Sequence, residues 1–323
     1  MPDIRVYRSL TEAAGEFGPS GVTIGNFDGV HRGHQELFRR LAGLSHALHV
    51  RPAVVTFDPH PTRVVAPDRT PRLLTSLEQR LVRMRECGIE RALVIPFDRE
   101  FSKLTPEEFV LQVLVSAADA RLVLVGGNFR FGNKQAGDTK LLSDLGERFG
   151  FETKIVEAVR YRGSTVSSTG IRLLIERGDV GLAARSLGRP FGLEGVVIPG
   201  HGVGSRQTVP TLNLETSTEV LPAGGVYITR TQDTKDGRLW PSVTNIGYRP
   251  TFGGDDKLNI ETFILEGFAR PVPEQITVEF LRRIREERKF PDASALKAQI
   301  LRDAARAQAF FRRAGRWIRA GAW

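Results

Sequence analysis

The chain has 323 residues, 41% hydrophobic and 26% charged, which suits a soluble protein of two ordinary domains. Its single cysteine, Cys87, excludes an internal disulfide, and no apolar run approaches the roughly 20 residues needed to cross a bilayer. With no leader-like apolar segment in MPDIRVYRSL, a cytoplasmic protein without a membrane partner is expected; the net charge of +9 leaves nucleic acid or small polyanions such as nucleotides as partners.

In chain order, the first half alternates strand-like and helix-like segments. GVTIGNF reads as a strand, and QELFRRLAGLSHAL follows with Leu37, Phe38, Leu41, Leu44 and Leu48 on one helical face. PAVVTFD is a second strand, bounded by DPHP. SLEQRLVRMRECG is a helix closed by Gly88. RALVIPFD is a third strand. TPEEFVLQVL opens a helix with Thr105 as N-cap, Pro106 in first position and Glu108 completing a capping box. RLVLVGGNF and ETKIVEAV are a fourth and a fifth strand, and IRLLIERG is helical. This pattern predicts an α/β domain with a parallel sheet covered on both faces, whose ligand lies beyond the carboxyl ends of the strands. GNFDGVHRGH, DPHP and GGNFRFG all fall at such ends.

Near Gly188 the pattern changes. LEGVVIPG, TLNLE, GVYITRT, PSVTNIG, NIETFILEG and ITVEFLRRIR are short strand-like runs, with DGR and GGDD as hairpin connections. They predict a six-stranded antiparallel β-barrel followed by a C-terminal helix. The domains are therefore expected at 1–186 and 187–323. Along the last helix Arg302, Arg306, Arg312, Arg313, Arg316 and Arg319 alternate with apolar residues, the pattern of a solvated face rather than a nucleic-acid groove. Without an aromatic run beside them, no nucleic-acid partner is expected.

The most informative stretch is GNFDGVHRGH. Gly25, Gly29 and Gly33 let backbone approach a bound group, and the helix start beyond them offers free N–H groups to phosphate. His31 and His34 add donors, and a phosphate neighbour would favour their charged form. Two other readings stand beside this one. His31, His34, Asp58 and His60 could ligate a metal, or the histidines could simply cap a turn.

GNFDGVHRGH, then TFDPHP, VGGNFRFGNKQAGD, VSSTGIR, LGRPF, PTLN, LPAGGVYIT, NIGYRPTFGG, IETFIL and FLRRIREERKF occur in that order. Together they resemble the bacterial bifunctional riboflavin kinase/FAD synthetases, whose first motif is the HxGH of the nucleotidyltransferase superfamily. The resemblance implies a Rossmann-like nucleotidyltransferase domain and a riboflavin kinase barrel. It implies two ATP-dependent reactions, riboflavin to FMN in the barrel and FMN to FAD with release of pyrophosphate in the first domain. The alternative is an FMN adenylyltransferase alone, with a degraded kinase barrel.

The resemblance also implies roles. His31 and His34 would stabilise charge on the phosphates, and Gly25, Asn26, Phe27, Asp28 and Gly29 would shape the adenylate site. Asp58 and His60 of the second motif would adjoin the nucleotide. Ser167, Ser168 and Thr169 would hydrogen-bond phosphate, or cap a helix, and Arg172 would neutralise the leaving pyrophosphate. Asn128 and Phe129 would line the flavin or nucleotide pocket, whereas Phe131 fits that pocket or the core equally. In the barrel, Gly200, Gly202, Gly204 and Pro210 would form a phosphate-approaching loop. Thr211 and Asn213 would bind Mg²⁺, and Glu261 would act as general base. The chain departs from the family pattern at Gly170, where an arginine is common, at Asn128, where an acid is usual, and before PTLN, where Arg206 is left of several arginines. The partners implied are small molecules, with a monomer or weak homo-oligomer as the working form.

Overall fold

The computed structural model describes residues 3–157, 160–161, 163–199, 211–250, 256–265 and 272–319. It divides into two compact units, Met1–Ser168 and Thr169–Trp323.

The first unit is built on a six-stranded parallel sheet. Its strands are β1 (Arg5–Tyr7), β2 (Ser20–Ile24), β3 (Arg51–Asp58), β4 (Arg91–Pro96), β5 (Ala120–Gly126) and β6 (Glu152–Val156), in the order β1-β4-β3-β2-β5-β6. The strands read as unbroken apolar runs because both faces are buried. Val22, Ile24, Val55, Leu93 and Val125 pack on one side with Val113, Leu114 and Leu142. Val54, Ala92, Val94 and Leu124 pack on the other with Phe38, Leu41, Leu81 and Met84.

The helices are α1 (Leu10–Ala13), α2 (Arg32–Ala47), α3 (Pro61–Val65), α4 (Leu77–Glu86), α5 (Pro106–Phe109) and α6 (Thr139–Phe149). α5 carries the Thr105–Glu108 capping box read from the sequence, then runs on as π-helical turns over Val110–Ala117. Ser76 and Gln79 make the same reciprocal cap on α4. Gly21 is what lets α2 lie close on β2, since a Cβ there would meet Ser45 Oγ at 2.1 Å.

Four elements of this unit, β1, α1, α3 and α6, exceed the sequence reading. The edge strand β1 has three residues, too few to show alternation. α6 contains Gly146, which weakens a helical pattern; a Cβ there would meet the Phe151 carbonyl oxygen at 2.7 Å, so the bare residue lets the helix sit on the following chain. Strand order reverses at β2, whose neighbours are β3 and β5. The segments leaving the ends of β2, β3 and β5 therefore border the crevice where such sheets bind ligands.

The chain then forms a two-residue-per-strand hairpin, β7 (Arg160–Tyr161) and β8 (Ser164–Thr165), and α7 (Ser168–Glu176), which begins at the division between the units. In the second unit α8 (Val180–Leu187) precedes six antiparallel strands. These are β9 (Phe191–Ile198), β10 (Leu212–Thr216), β11 (Gly225–Asp233), β12 (Leu239–Pro250), β13 (Asp256–Ile264) and β14 (Gln275–Arg285). They close in the order β10-β13-β12-β11-β14-β9, the barrel read from the sequence. The DGR connection joins β11 to β12 with Gly237 at φ +74°; the GGDD connection lies outside the described residues.

Thr229, Thr231, Ser242, Thr244 and Thr262 are fully buried and joined by hydroxyl contacts of 2.8–2.9 Å. Residues of the opposite strand face, Val226, Ile228, Val243 and Leu281, pack under α9 (Ala293–Arg319) through Ala307, Phe310 and Phe311. Arg285 pairs with the buried Asp303 of α9 at 2.9 Å, and Gln299 donates to the other Asp303 oxygen at 2.8 Å. Arg302, Arg306, Arg312 and Arg313 are exposed, as a solvated face requires; the side chains of Arg316 and Arg319 lie outside the described residues.

Candidate active sites

The first site is the segment leaving β2. Phe27, Gly29 and Val30 all have positive φ, at +51°, +78° and +40°. For a β-branched valine this is a strained conformation, and such strain concentrates where surrounding contacts hold a functional loop. Those contacts are visible. Asp28 is 3% exposed and accepts hydrogen bonds from Leu74 N at 2.9 Å and from Thr75 N at 3.2 Å, while Gly29 N donates to Thr75 Oγ1 at 2.9 Å. Arg80 of α4 donates from Nη1 to the Asn26 carbonyl at 2.6 Å. Burial lowers the pKa of Arg80, and nearby Asp28, Asp58 and Glu78 oppose that shift. Asp28 and Arg80 thus clamp the loop from below.

The loop delivers the two histidines. His31 is the N-cap of α2, and its Nδ1 accepts from His34 N at 3.4 Å. In the neutral ring this leaves the proton on Nε2. The His31 and His34 rings stack at 3.6 Å with 19° between planes. His34 rests edge-on against Phe27 at 5.2 Å, and Phe27 against Phe38 at 4.9 Å. Phe27, 4% exposed, is therefore the floor under the imidazoles. Gly25 makes room for it, because a Cβ there would meet the Phe27 ring at 3.1 Å.

Burial first, and His31 second, hold the His34 pKa well below the ordinary histidine value. That shift favours the neutral His34 imidazole near neutral pH. Stacking also speaks against a shared metal. Ring lone pairs lie in the ring planes, and two nearly parallel planes 3.6 Å apart do not aim at one ion at a bond length of about 2 Å. Among the described residues no three His, Cys, Asp or Glu side chains gather for a metal.

Buried polar atoms lacking hydrogen-bond partners among the described residues of this unit include Thr23 Oγ1, Asn26 Oδ1, His34 Nδ1 and Thr56 Oγ1. Such atoms are costly unless something else supplies the bond. Asp58 stands exposed at the end of β3. His60 caps α3 and contacts Thr62 Oγ1 at 2.7 Å. Asn128 is exposed just after β5, and half-buried Phe129 stacks on Phe131 with 14° between planes. Phe131 is 5% exposed and belongs to the core. Ser168 Oγ donates to the Asp28 carbonyl at 2.9 Å, which ties the last residue of the first unit to the loop. Ser167 lies just before α7, and Thr169 and Arg172 lie on α7 within the second unit.

The second site is on the barrel. Asn213 of β10 stands directly opposite Glu261 of β13, and Glu261 stands directly opposite Asn245 of β12. Thr211 is exposed immediately before β10. Gly200, Gly202, Gly204 and Pro210 lie outside the described residues. Sequence reasoning singled out Glu261 and Asn213 but missed Thr75 and Arg80. Each of these acts through a partner distant in the chain, and no local spacing signals it.

Comparison with known proteins follows the same division. A family model described as FAD synthetase matches residues 15–170, and one described as riboflavin kinase matches residues 187–311. The bifunctional riboflavin kinase/FMN adenylyltransferase of Pseudomonas fluorescens is 36% identical over 89% of this chain and 92% of its own. That of Escherichia coli K12 is 35% identical over 96% and 98%. A solved structure described as a macrolide-efflux protein from Streptococcus pneumoniae superposes with a TM-score of 0.85 at 27% identity, covering 94% of this chain and 99% of that one. No helix among the described residues is long and apolar enough to cross a membrane. An adenylyltransferase-type sheet domain, a kinase-type barrel and relatives matched from end to end together place the chain in the bifunctional riboflavin kinase/FMN adenylyltransferase family.

Proposed function

We propose that the chain makes FAD from riboflavin in two steps, the barrel using residues 187–323 and the sheet domain residues 1–186. The observation that carries this reading is that each unit keeps a built site: the stacked His31–His34 pair on a clamped loop, and Glu261 in register with Asn213. The alternative of a degraded barrel is not favoured, since the barrel is closed and its polar row is in place.

In the kinase step Glu261 takes the proton from the 5′-hydroxyl of riboflavin. That oxygen bonds to the γ-phosphorus of ATP as the bond to ADP breaks. The donors beside it, the Thr211 hydroxyl and the Asn213 amide oxygen, are hard oxygen ligands. They suit Mg²⁺, which keeps several waters and shares ATP phosphates rather than needing a cage of protein ligands. Bound there, Mg²⁺ would neutralise charge on the phosphates of ATP.

In the adenylyl step an FMN phosphate oxygen bonds to the α-phosphorus of ATP as the bond to pyrophosphate breaks. His31 donates from Nε2 to the phosphate oxygens. His34, neutral until the polyphosphate arrives, gains charge against that anion. Asn26, Asp28 and Gly29 act by loop shape. Asp58, His60, Asn128, Phe129, Ser167, Ser168, Thr169 and Arg172 are assigned to nucleotide or flavin binding. The working form is a cytoplasmic monomer or weak homo-oligomer.

Two variants test the assignment. His31→Ala should cut FMN-to-FAD conversion by about 100-fold or more, as loss of a transition-state donor does, while FMN still accumulates from riboflavin. Glu261→Gln should block FMN formation and leave FMN-to-FAD conversion intact. A folded His31→Ala protein that had also lost FMN synthesis would contradict independent sites.

A further inference from the structure

The loop that carries His31 and His34 is gripped by one hydroxyl group from elsewhere in the chain. Thr75, buried just before α4, uses that hydroxyl twice. Its Oγ1 accepts from Gly29 N at 2.9 Å and donates to Asp28 Oδ1 at 3.3 Å. A threonine hydroxyl has one proton to give and lone pairs to spare, so both loop residues are served at once. Asp28 has two further anchors that need no hydroxyl, the backbone N–H groups of Leu74 at 2.9 Å and of Thr75 at 3.2 Å. The carboxylate would therefore stay in place without the Thr75 side chain, whereas Gly29 N would lose the acceptor that side chain offers.

The segment beyond Gly29 is strained. Gly29 has φ +78°, and Val30 has φ +40°, a costly conformation for a β-branched residue. Such strain persists only where surrounding contacts over-determine the chain. Val30 N donates to the Phe27 carbonyl at 3.0 Å, and the Val30 carbonyl accepts from Gln35 Nε2 at 2.8 Å. His31 follows directly as the N-cap of α2. Relaxation at Val30 would turn the His31 ring and, through the 3.6 Å stack, disturb His34.

We infer that Thr75 is a positioning residue for adenylyl transfer, its hydroxyl fixing Gly29 so that the strained Val30 presents His31 and His34 to the polyphosphate in one orientation. This rests on the reading of His31 and His34 as the groups that stabilise charge on the phosphates. A residue that aims transition-state donors acts on kcat more than on ground-state binding, and a misplacement of about 1 Å can cost about 100-fold.

The test uses the full chain with Thr75→Val, Thr75→Ser and, in parallel, His31→Ala, assayed for FMN-to-FAD conversion at varied ATP. Valine keeps the shape of threonine and both backbone bonds to Asp28 but has no hydroxyl; serine keeps the hydroxyl in a smaller side chain. In Thr75→Val kcat should fall at least about tenfold, with KM for ATP within about threefold of the parent and riboflavin phosphorylation unchanged. Thr75→Ser should recover most of the lost rate. A parental kcat in Thr75→Val overturns the inference. So does a raised KM for ATP at unchanged kcat, which would make Thr75 a binding residue. An equal loss in Thr75→Val and Thr75→Ser also overturns it, because packing or folding would then be at fault and not the hydroxyl. If His31→Ala converts FMN at the parental rate, the reading of His31 falls and this one falls with it. An inactive His31→Ala beside a fully active Thr75→Val overturns only the role of Thr75.

Discussion

The His34 imidazole is half-buried, stacked on His31 and set edge-on against Phe27. Burial and His31 lower its pKa in the folded chain. The unfolded chain therefore takes up this proton first as pH falls. Between the folded and unfolded values the unfolded state holds more protons, so the stability is full above the unfolded value of about 6.5 and declines as pH drops toward the folded one. The protection factors of the α2 amides, corrected for the intrinsic exchange rate, should thus fall from about pH 7 to about pH 5, and fall less in His34→Gln. An equal fall in both proteins would contradict a lowered His34 pKa.

At the scale of elements, the geometry of the proposed His31–His34 site depends on how closely α2 approaches β2. Gly21 permits that approach, because a Cβ there would stand 2.1 Å from Ser45 Oγ. Gly21→Ala should push the helix outward and cost about 1–3 kcal/mol of stability, the usual range for overpacking. Because His31 and His34 ride on the first turn of α2, FAD formation should drop while FMN formation holds. Chemical denaturation and the two activities together check this; a stable variant with parental FAD synthesis would show that α2 is not so constrained. The strands and capped helices around this contact were legible in the sequence, because continuous apolar runs and S/T-x-x-E/Q boxes are local signals. β1 was not, being three residues on a sheet edge, nor was α6, whose Gly146 answers to packing.

For the whole molecule, the motif order marked both catalytic regions, yet the supports of each site were invisible. Asp28 is held by Thr75 and Asn26 by Arg80, contacts spanning 47 and 54 positions. Asn245 stands opposite Glu261 only through barrel register. Residues that do chemistry carry recognisable types and spacings, whereas residues that position them are chosen by the fold. The account's central claim is that one chain performs both reactions at separate sites. The direct measurement is a time course of purified protein with riboflavin, ATP and Mg²⁺, the flavins resolved chromatographically and ADP and pyrophosphate followed. Riboflavin should decline, FMN should rise and pass, and FAD should accumulate, with one ADP and one pyrophosphate formed per FAD. FAD formed from added FMN, with riboflavin untouched and no ADP released, would contradict it.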